Sequence, residues 1–391
     1  MLNQVFAITA LNLKSLGSRL GLSAVIVVGT AGVVAVLCAL LAMSQGFQKT
    51  LAATGRADRA IVLRGGSSAE LNSALSRDQA AQIKQVPGVQ LSKSGKPLAS
   101  TEMIVITEFA SKARGGSFNV SLRGLEPEGL EMRPELRIVE GRMFEAGLKE
   151  VIVGKGALAQ FEGVTMGSAL RFRGADWTVV GVFESGDAHE SELLADLGTA
   201  QTAFNRQGAS SVLLKLENKD ALAAVKKTYQ DNPQLAVDVQ SELDYYSGQT
   251  KNFRQLIGVL ALVVSAIMAI GALFASLNTM FAAVAARTRQ IATLRAVGFG
   301  GFPVASAVLI EAMLLAALGG ILGALIAYLL FNNLAVSTLG AGFTQVVFNF
   351  KVTPALIATG VIIALIIGFV GGFFPALRAA RLKVTDALRA G

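Results

Sequence analysis

Asp187, His189, Glu190 and Glu192 crowd carboxylates around the chain's sole histidine, and Ser185 and Ser191 stand beside them. Oxygen ligands with an imidazole are the donor set of a divalent cation site, and a serine near a histidine is the start of a nucleophilic one. The cluster lies just before Leu193-Leu194, in what reads as a helix start, where acidic side chains complement the helix dipole. Capping is the reading preferred over a metal site, and a Ser–His neighbourhood in one loop does not make a triad without an orienting third group. One cysteine, Cys38, excludes an intrachain disulfide and a Cys-based zinc site.

ATP hydrolysis requires a glycine-rich loop ending in Lys and Ser/Thr to cradle phosphates. The nearest candidate, Gly95-Lys96, runs into Pro97 and has Gln90 where the loop's first glycine is needed. No catalytic residue, metal or cofactor is assigned to this chain. Two other sets of ionisable groups stand out: Glu311, inside an apolar stretch, and the arginines at 287, 289 and 295 in a short segment between two such stretches.

The elements that carry these residues follow from composition. Of 391 residues 52% are hydrophobic and 16% charged, with a mean hydropathy of +0.54, which excludes an ordinary soluble protein. Stretches that span a bilayer, for which about 20 apolar residues suffice, occur at 20–46, 255–286, about 303–331 and 352–377. A short polar loop is expected after Asn332-Asn333. The fold class expected is an α-helical membrane protein with four transmembrane helices plus a large α+β extracytoplasmic domain.

The net charge of +8 would suggest nucleic acid in a soluble protein, so its location matters. Residues 46–253 hold 24 Lys+Arg and 25 Asp+Glu, whereas the rest holds 11 basic residues against Glu311 and Asp386. The whole basic excess flanks the spans, which is a topology signal. It predicts cytoplasmic N- and C-termini and a cytoplasmic 287–302 loop, puts the large domain outside, and removes the nucleic-acid reading.

Small residues recur at four-residue spacing: Ala31 and Ala35, Gly319 and Gly323, Gly368 and Gly372. Such rows let helices approach closely in lipid. Glu311 lies about 12 Å along a helix from Pro303. A structural carboxylate, paired with a nearby arginine or capped by helix-end amides, is preferred over a proton or substrate group, because no second ionisable group completes a relay. Residues 287–298 read as a short amphipathic helix, with Ile291, Leu294 and Val297 toward one face and Gly298 as its stop.

Arg287-Thr-Arg-Gln-Ile-Ala-Thr-Leu-Arg-Ala-Val-Gly298 followed by Glu311 resembles the RTREIGxLRAxG…E signature of MacB/FtsX-like ABC transporter permeases, and 375–389 is similar to their closing PAxRAARLxPxxALR. The resemblance implies one helix, a periplasmic domain, then three helices: 1–45, 46–253 and 254–391. Within the outer domain it implies a split porter-like subdomain (58–125 and 209–243) and an inserted β-rich lobe (126–208). From the residues themselves, 67–86 reads as a helix, 103–107, 118–123, 211–216 and 235–239 as strands, and 219–230 as a helix. The lobe holds strands at 150–153, 169–172 and 177–183.

The resemblance further implies that 287–298 is a coupling helix seated on a cytoplasmic ABC ATPase dimer that binds ATP and Mg, with Arg287, Arg289, Ile291, Leu294, Arg295 and Gly298 as the contact residues. A second permease copy or paralogue, a periplasmic adaptor, an outer-membrane channel and membrane lipids are the other partners it implies. The function expected is a non-catalytic permease subunit in the bacterial inner membrane that exports a hydrophobic or amphipathic substrate. Alternatives are lipoprotein or lipid extraction and an FtsX-like regulatory scaffold.

Overall fold

The computed structural model describes residues 2–14, 20–93, 95–112, 116–232, 235–339 and 345–382. Arg19 and positions 383–389 of the closing motif lie outside the described residues. The helices are α1 (Leu2–Lys14), α2 (Leu20–Thr54), α3 (Arg77–Ile83), α4 (Pro127–Glu131), α5 (Lys155–Gln160), α6 (Leu197–Ala203), α7 (Ala221–Gln230), α8 (Glu242–Ala286), α9 (Thr288–Ala296), α10 (Gly301–Phe331) and α11 (Pro354–Ala380). The strands are β1 (Arg59–Arg64), β2 (Ala99–Ala110), β3 (Ser117–Leu125), β4 (Arg137–Gly141), β5 (Glu150–Gly154), β6 (Ala169–Phe172), β7 (Ala175–Glu184), β8 (Leu193–Asp196), β9 (Ser211–Lys215), β10 (Val237–Ser241), β11 (Ala335–Leu339) and β12 (Gln345–Asn349). They form two bodies: residues 1–45, 254–334 and 350–391, and residues 46–253 with 335–349.

In the first body α2, α8, α10 and α11 are long and apolar enough to cross a membrane. At 1.5 Å per residue α8 runs for about 68 Å and α2 for about 52 Å, well beyond a hydrocarbon core of about 30 Å. Residues 46–54 of α2 and 242–253 of α8 accordingly belong to the second body. The small-residue rows are used within the chain. A Cβ on Gly323 would meet the Ala31 carbonyl oxygen at 2.3 Å, and one on Gly319 the Val27 oxygen at 2.5 Å, so α10 lies backbone to backbone on α2. On Gly368 it would fall 2.5 Å from the Ala316 Cβ, locking α11 to α10.

The second body is built on one mixed ten-stranded sheet, in the order β10-β1-β9-β2-β3-β8-β5-β7-β4 with β6 paired to β7. β3 pairs with β8 and β5 with β7 in parallel; the other pairs are antiparallel. One core gathers Val62, Ile83, Val212, Leu214 and Val225 at the β1/β9 end, and another Met103, Leu122, Val151, Phe161 and Trp177 toward β5 and β7. β2 and β3 thus supply side chains to the core shared with the inserted segment, and the sheet continues across position 126 without a break.

Three local expectations are corrected. Residues 67–86 are not one helix: a 3-10 turn at Glu70–Asn72 precedes α3, whose start is set by a capping box of Ser76 with Gln79. Leu193-Leu194 open strand β8, because β3 on one side and β5 on the other complete their ladder. The segment after Asn333 is a hairpin rather than a polar loop; β11 and β12 pair from Ala335↔Asn349 to Leu339↔Gln345, and the Val347 amide donates to Ser191 Oγ at 2.8 Å.

Candidate functional site

The segment between α8 and α10 is a nine-residue helix with a defined stop. Gly298 sits at φ +105°, its amide donates to the Arg295 carbonyl and the Phe299 amide to that of Leu294, both at 3.1 Å. That pair of bonds is a Schellman motif, which requires a left-handed residue and so favours glycine. Ile291 is buried and Leu294 packs partly buried beside it, in a cluster with Ile8, Met280, Val284, Val304 and Val308. Arg289, Gln290, Thr293 and Val297 form the exposed face.

The arginines of this segment do three different things. Arg289 is exposed. Arg295 donates to the carbonyls of Ala380 and Leu382, holding α9 to the end of α11. Arg287, expected on the outward contact surface, is instead turned inward at 6% exposure. Its two terminal nitrogens grip Glu311 Oε2 and Oε1, both at 2.8 Å. A carboxylate in an apolar helix must be neutralised, and a planar guanidinium does so bidentately, which draws Arg287 off the surface. Glu311 is thus held in a buried ion pair.

The second body contains a charge cluster that sequence reading missed. Arg123, on β3, reaches Glu70, Glu102 and Glu192 at 2.7–3.1 Å, and Arg133 binds Glu102 at 2.6 and 2.9 Å. Burial acts to raise the Glu102 carboxyl, but Arg133 and Arg123 overcome it and hold it down at about 2. Arg59 joins both helix roots: it donates to the Thr54 carbonyl at the end of α2 and stands 2.6 Å from Glu242 at the start of α8, with Glu135 also at 3.0 Å. Glu242 is nonetheless raised, since burial there exceeds the pull of Arg59. The sites are 53, 21 and 69 residues apart along the chain for the Arg123 partners, so no spacing rule finds them.

The residues of the histidine cluster are each engaged. Asp187 caps the turn Ala188–Ser191 by accepting from the His189 amide, and Glu190 accepts from the amides of Ser185 and Gly186. Glu192 is shared between Arg123 and His189 Nδ1. Burial works to lower the His189 pKa, yet Asp187 and Glu192 outweigh it and raise it.

A family model described as the MacB-like periplasmic core domain matches residues 23–231, and another, FtsX-like permease C-terminal, matches 262–384. The chain belongs to the MacB/FtsX-like ABC transporter permeases. This family membership and the four apolar helices make it a membrane protein with an extracytoplasmic domain. Among relatives of this permease, "Macrolide export ATP-binding/permease protein MacB" from Nitrobacter winogradskyi is 29% identical over 58% of this chain and 35% of its own length. "Uncharacterized ABC transporter permease YknZ" from Bacillus subtilis is 26% identical over 51% of this chain and 49% of its own. The chain thus spans half or less of these two relatives. Two solved domains are similar as well. The extracellular domain of YknZ from Gram-positive bacteria covers 47% of this chain and 100% of that one at 17% identity, with a TM-score of 0.35. The periplasmic region of MacB from Actinobacillus actinomycetemcomitans covers 49% and 91% at 12% identity, with a TM-score of 0.37.

Proposed function

We propose that this permease couples ATP hydrolysis by a separate cytoplasmic ATPase to motion of its outer domain, and so exports a hydrophobic or amphipathic substrate. The observation that carries this reading is α9: a capped helix between two spans, with a buried face fixed to α8, α10 and α11 and a free face bearing Arg289 and Val297. A rigid element of that kind passes a push from outside to the helices it is tied to. Arg289 suits an acidic cleft and Val297, 75% exposed, an apolar pocket beside it. The basic flanks favour α9 and both termini facing the cytoplasm of a bacterial inner-membrane protein. The exposed apolar row of α8, including Val263, Ile267 and Phe274, suits a second permease copy. An adaptor and outer-membrane channel complete the export route in this reading.

The test is co-purification with the products of the adjacent genes, followed by an ATPase assay in nanodiscs. Arg289→Glu with Val297→Asp should lower ATPase association at least tenfold while leaving membrane insertion unchanged. Undiminished association would remove α9 from the mechanism.

A further inference from the structure

The chain's sole histidine lies in a short turn, Ala188–Ser191, on which distant segments of the second body converge. The Ala188 amide donates to Thr54 Oγ1 at 3.0 Å, at the end of α2. The His189 ring stands edge-on to Tyr246 of α8, with centroids 6.2 Å apart. Ser191 Oγ takes the Val347 amide of β12, and Glu192, the next residue, lies 3.0 Å from His189 Nδ1 and accepts from Arg123 of β3. The fit is close: a Cβ on Gly154 would fall 2.2 Å from the Glu190 carbonyl oxygen. What holds this turn in shape therefore also holds the ends of α2 and α8 that belong to this body.

The charges around the turn are unevenly matched. Arg59, Arg123 and Arg133 are shared among Glu70, Glu102, Glu135, Glu192 and Glu242, and Asp187 adds a further carboxylate beside the ring. His189, Asp187 and the three arginines are at most 3% exposed, and a buried carboxylate without its cation is costly. A proton on His189 supplies a further cation: it makes the Glu192 contact charge-assisted and faces Asp187. Arg133 opposes that proton, and Glu242 of α8 acts in its favour. Imidazole is the side chain that gains or drops a charge near neutral pH, and the upward direction of its shift here agrees with the carboxylate excess. We infer that His189 is a proton-operated clasp of the second body: protonated, it fastens the turn 188–191 to α2 and α8, and deprotonated, it lets them loosen. The clasp lies within residues 46–253 and 335–349 and is independent of whatever α9 contacts outside the chain.

A single histidine makes the test direct. The full-length protein in nanodiscs, isotopically labelled at histidine Cε1 and carrying no polyhistidine tag, gives one imidazole resonance to follow from about pH 5 to about pH 9. That resonance should titrate with a midpoint above 6.5. Hydrogen exchange over the same range, read by mass spectrometry with intrinsic rates divided out, should show a step at that midpoint. Protection of the amides of 188–192, of the end of α2 and of the first turns of α8 should fall about tenfold, the worth of one hydrogen bond to a charged group. Helix α7, packed at the β1/β9 end of the sheet, should show no step. A resonance that keeps one protonation state throughout overturns the inference. So do an exchange profile without a step at the imidazole midpoint and an equal step in a folded His189→Gln.

Discussion

In the first body a single guanidinium, Arg287, is matched one to one by Glu311, whereas in the second Arg59, Arg123 and Arg133 are shared among Glu70, Glu102, Glu135, Glu192 and Glu242. The membrane body gains its cohesion from backbone contact between small residues, and among the described residues the ion pair it buries is Arg287 with Glu311. The outer body instead places charges where segments distant in sequence meet, so that each arginine holds several elements at once. An isolated buried pair can be replaced by apolar groups, while a shared network cannot lose one member without leaving several charges unmatched.

The largest effect should come from Arg123→Met. It strips the cation from Glu70, Glu102 and Glu192 together, and should cost more than the roughly 3–5 kcal/mol of a single broken buried pair. Trp177 is the only tryptophan and is fully buried in the outer body, so its fluorescence in the full chain reports the loss directly. Glu311→Gln should cost about 3 kcal/mol by leaving Arg287 uncompensated, and Arg287→Met with Glu311→Leu should recover most of it. If the double variant in nanodiscs melts no higher than the single one, the contrast between pair and network is wrong.

Gly323→Ala should lower stability by about 1–3 kcal/mol through the collision with Ala31, whereas Gly271→Ala, whose added Cβ meets nothing within 4 Å, should be neutral. The smallest effect is a pH dependence. Because the His189 pKa is raised by Asp187 and Glu192 above its ordinary 6.5, its protonated form adds stability that is complete below 6.5 and fades as pH rises through the raised value. Arg133 and Tyr246 also face the ring. Thermal melts of the Trp177 signal should fall across that window in the unmodified protein and flatten in His189→Gln.

The spans were legible because uninterrupted apolar length admits few other structures, and α9 because its arginines, Ile291 and Gly298 obey local rules. Arg287 was not placed correctly: its charge signals topology, but its burial depends on a carboxylate 24 residues away. The split of 67–86 comes from Ser76, whose side chain accepts from the Gln79 amide while Gln79 bonds back to the Ser76 amide, so that the helix starts there rather than at 67. The hairpin did leave a trace in Val346, Val347 and Phe348, β-formers in a stretch read as a polar loop. The Arg123 cluster left none, since Glu70, Glu102 and Glu192 reach it from a 3-10 turn, from β2 and from the residue before β8, which meet only in the tertiary fold.

The hairpin 335–349 bears on how this protein can be cut. Chain leaves one body for the other at four places rather than two, so a fragment ending at Phe253 lacks a piece of its own fold. A soluble version made from 46–253 alone would leave Ser191 without the Val347 amide and uncover Gly156, whose Cα lies where Val347 packs. Grafting 335–349 back through a glycine-serine tether is the design that respects the architecture.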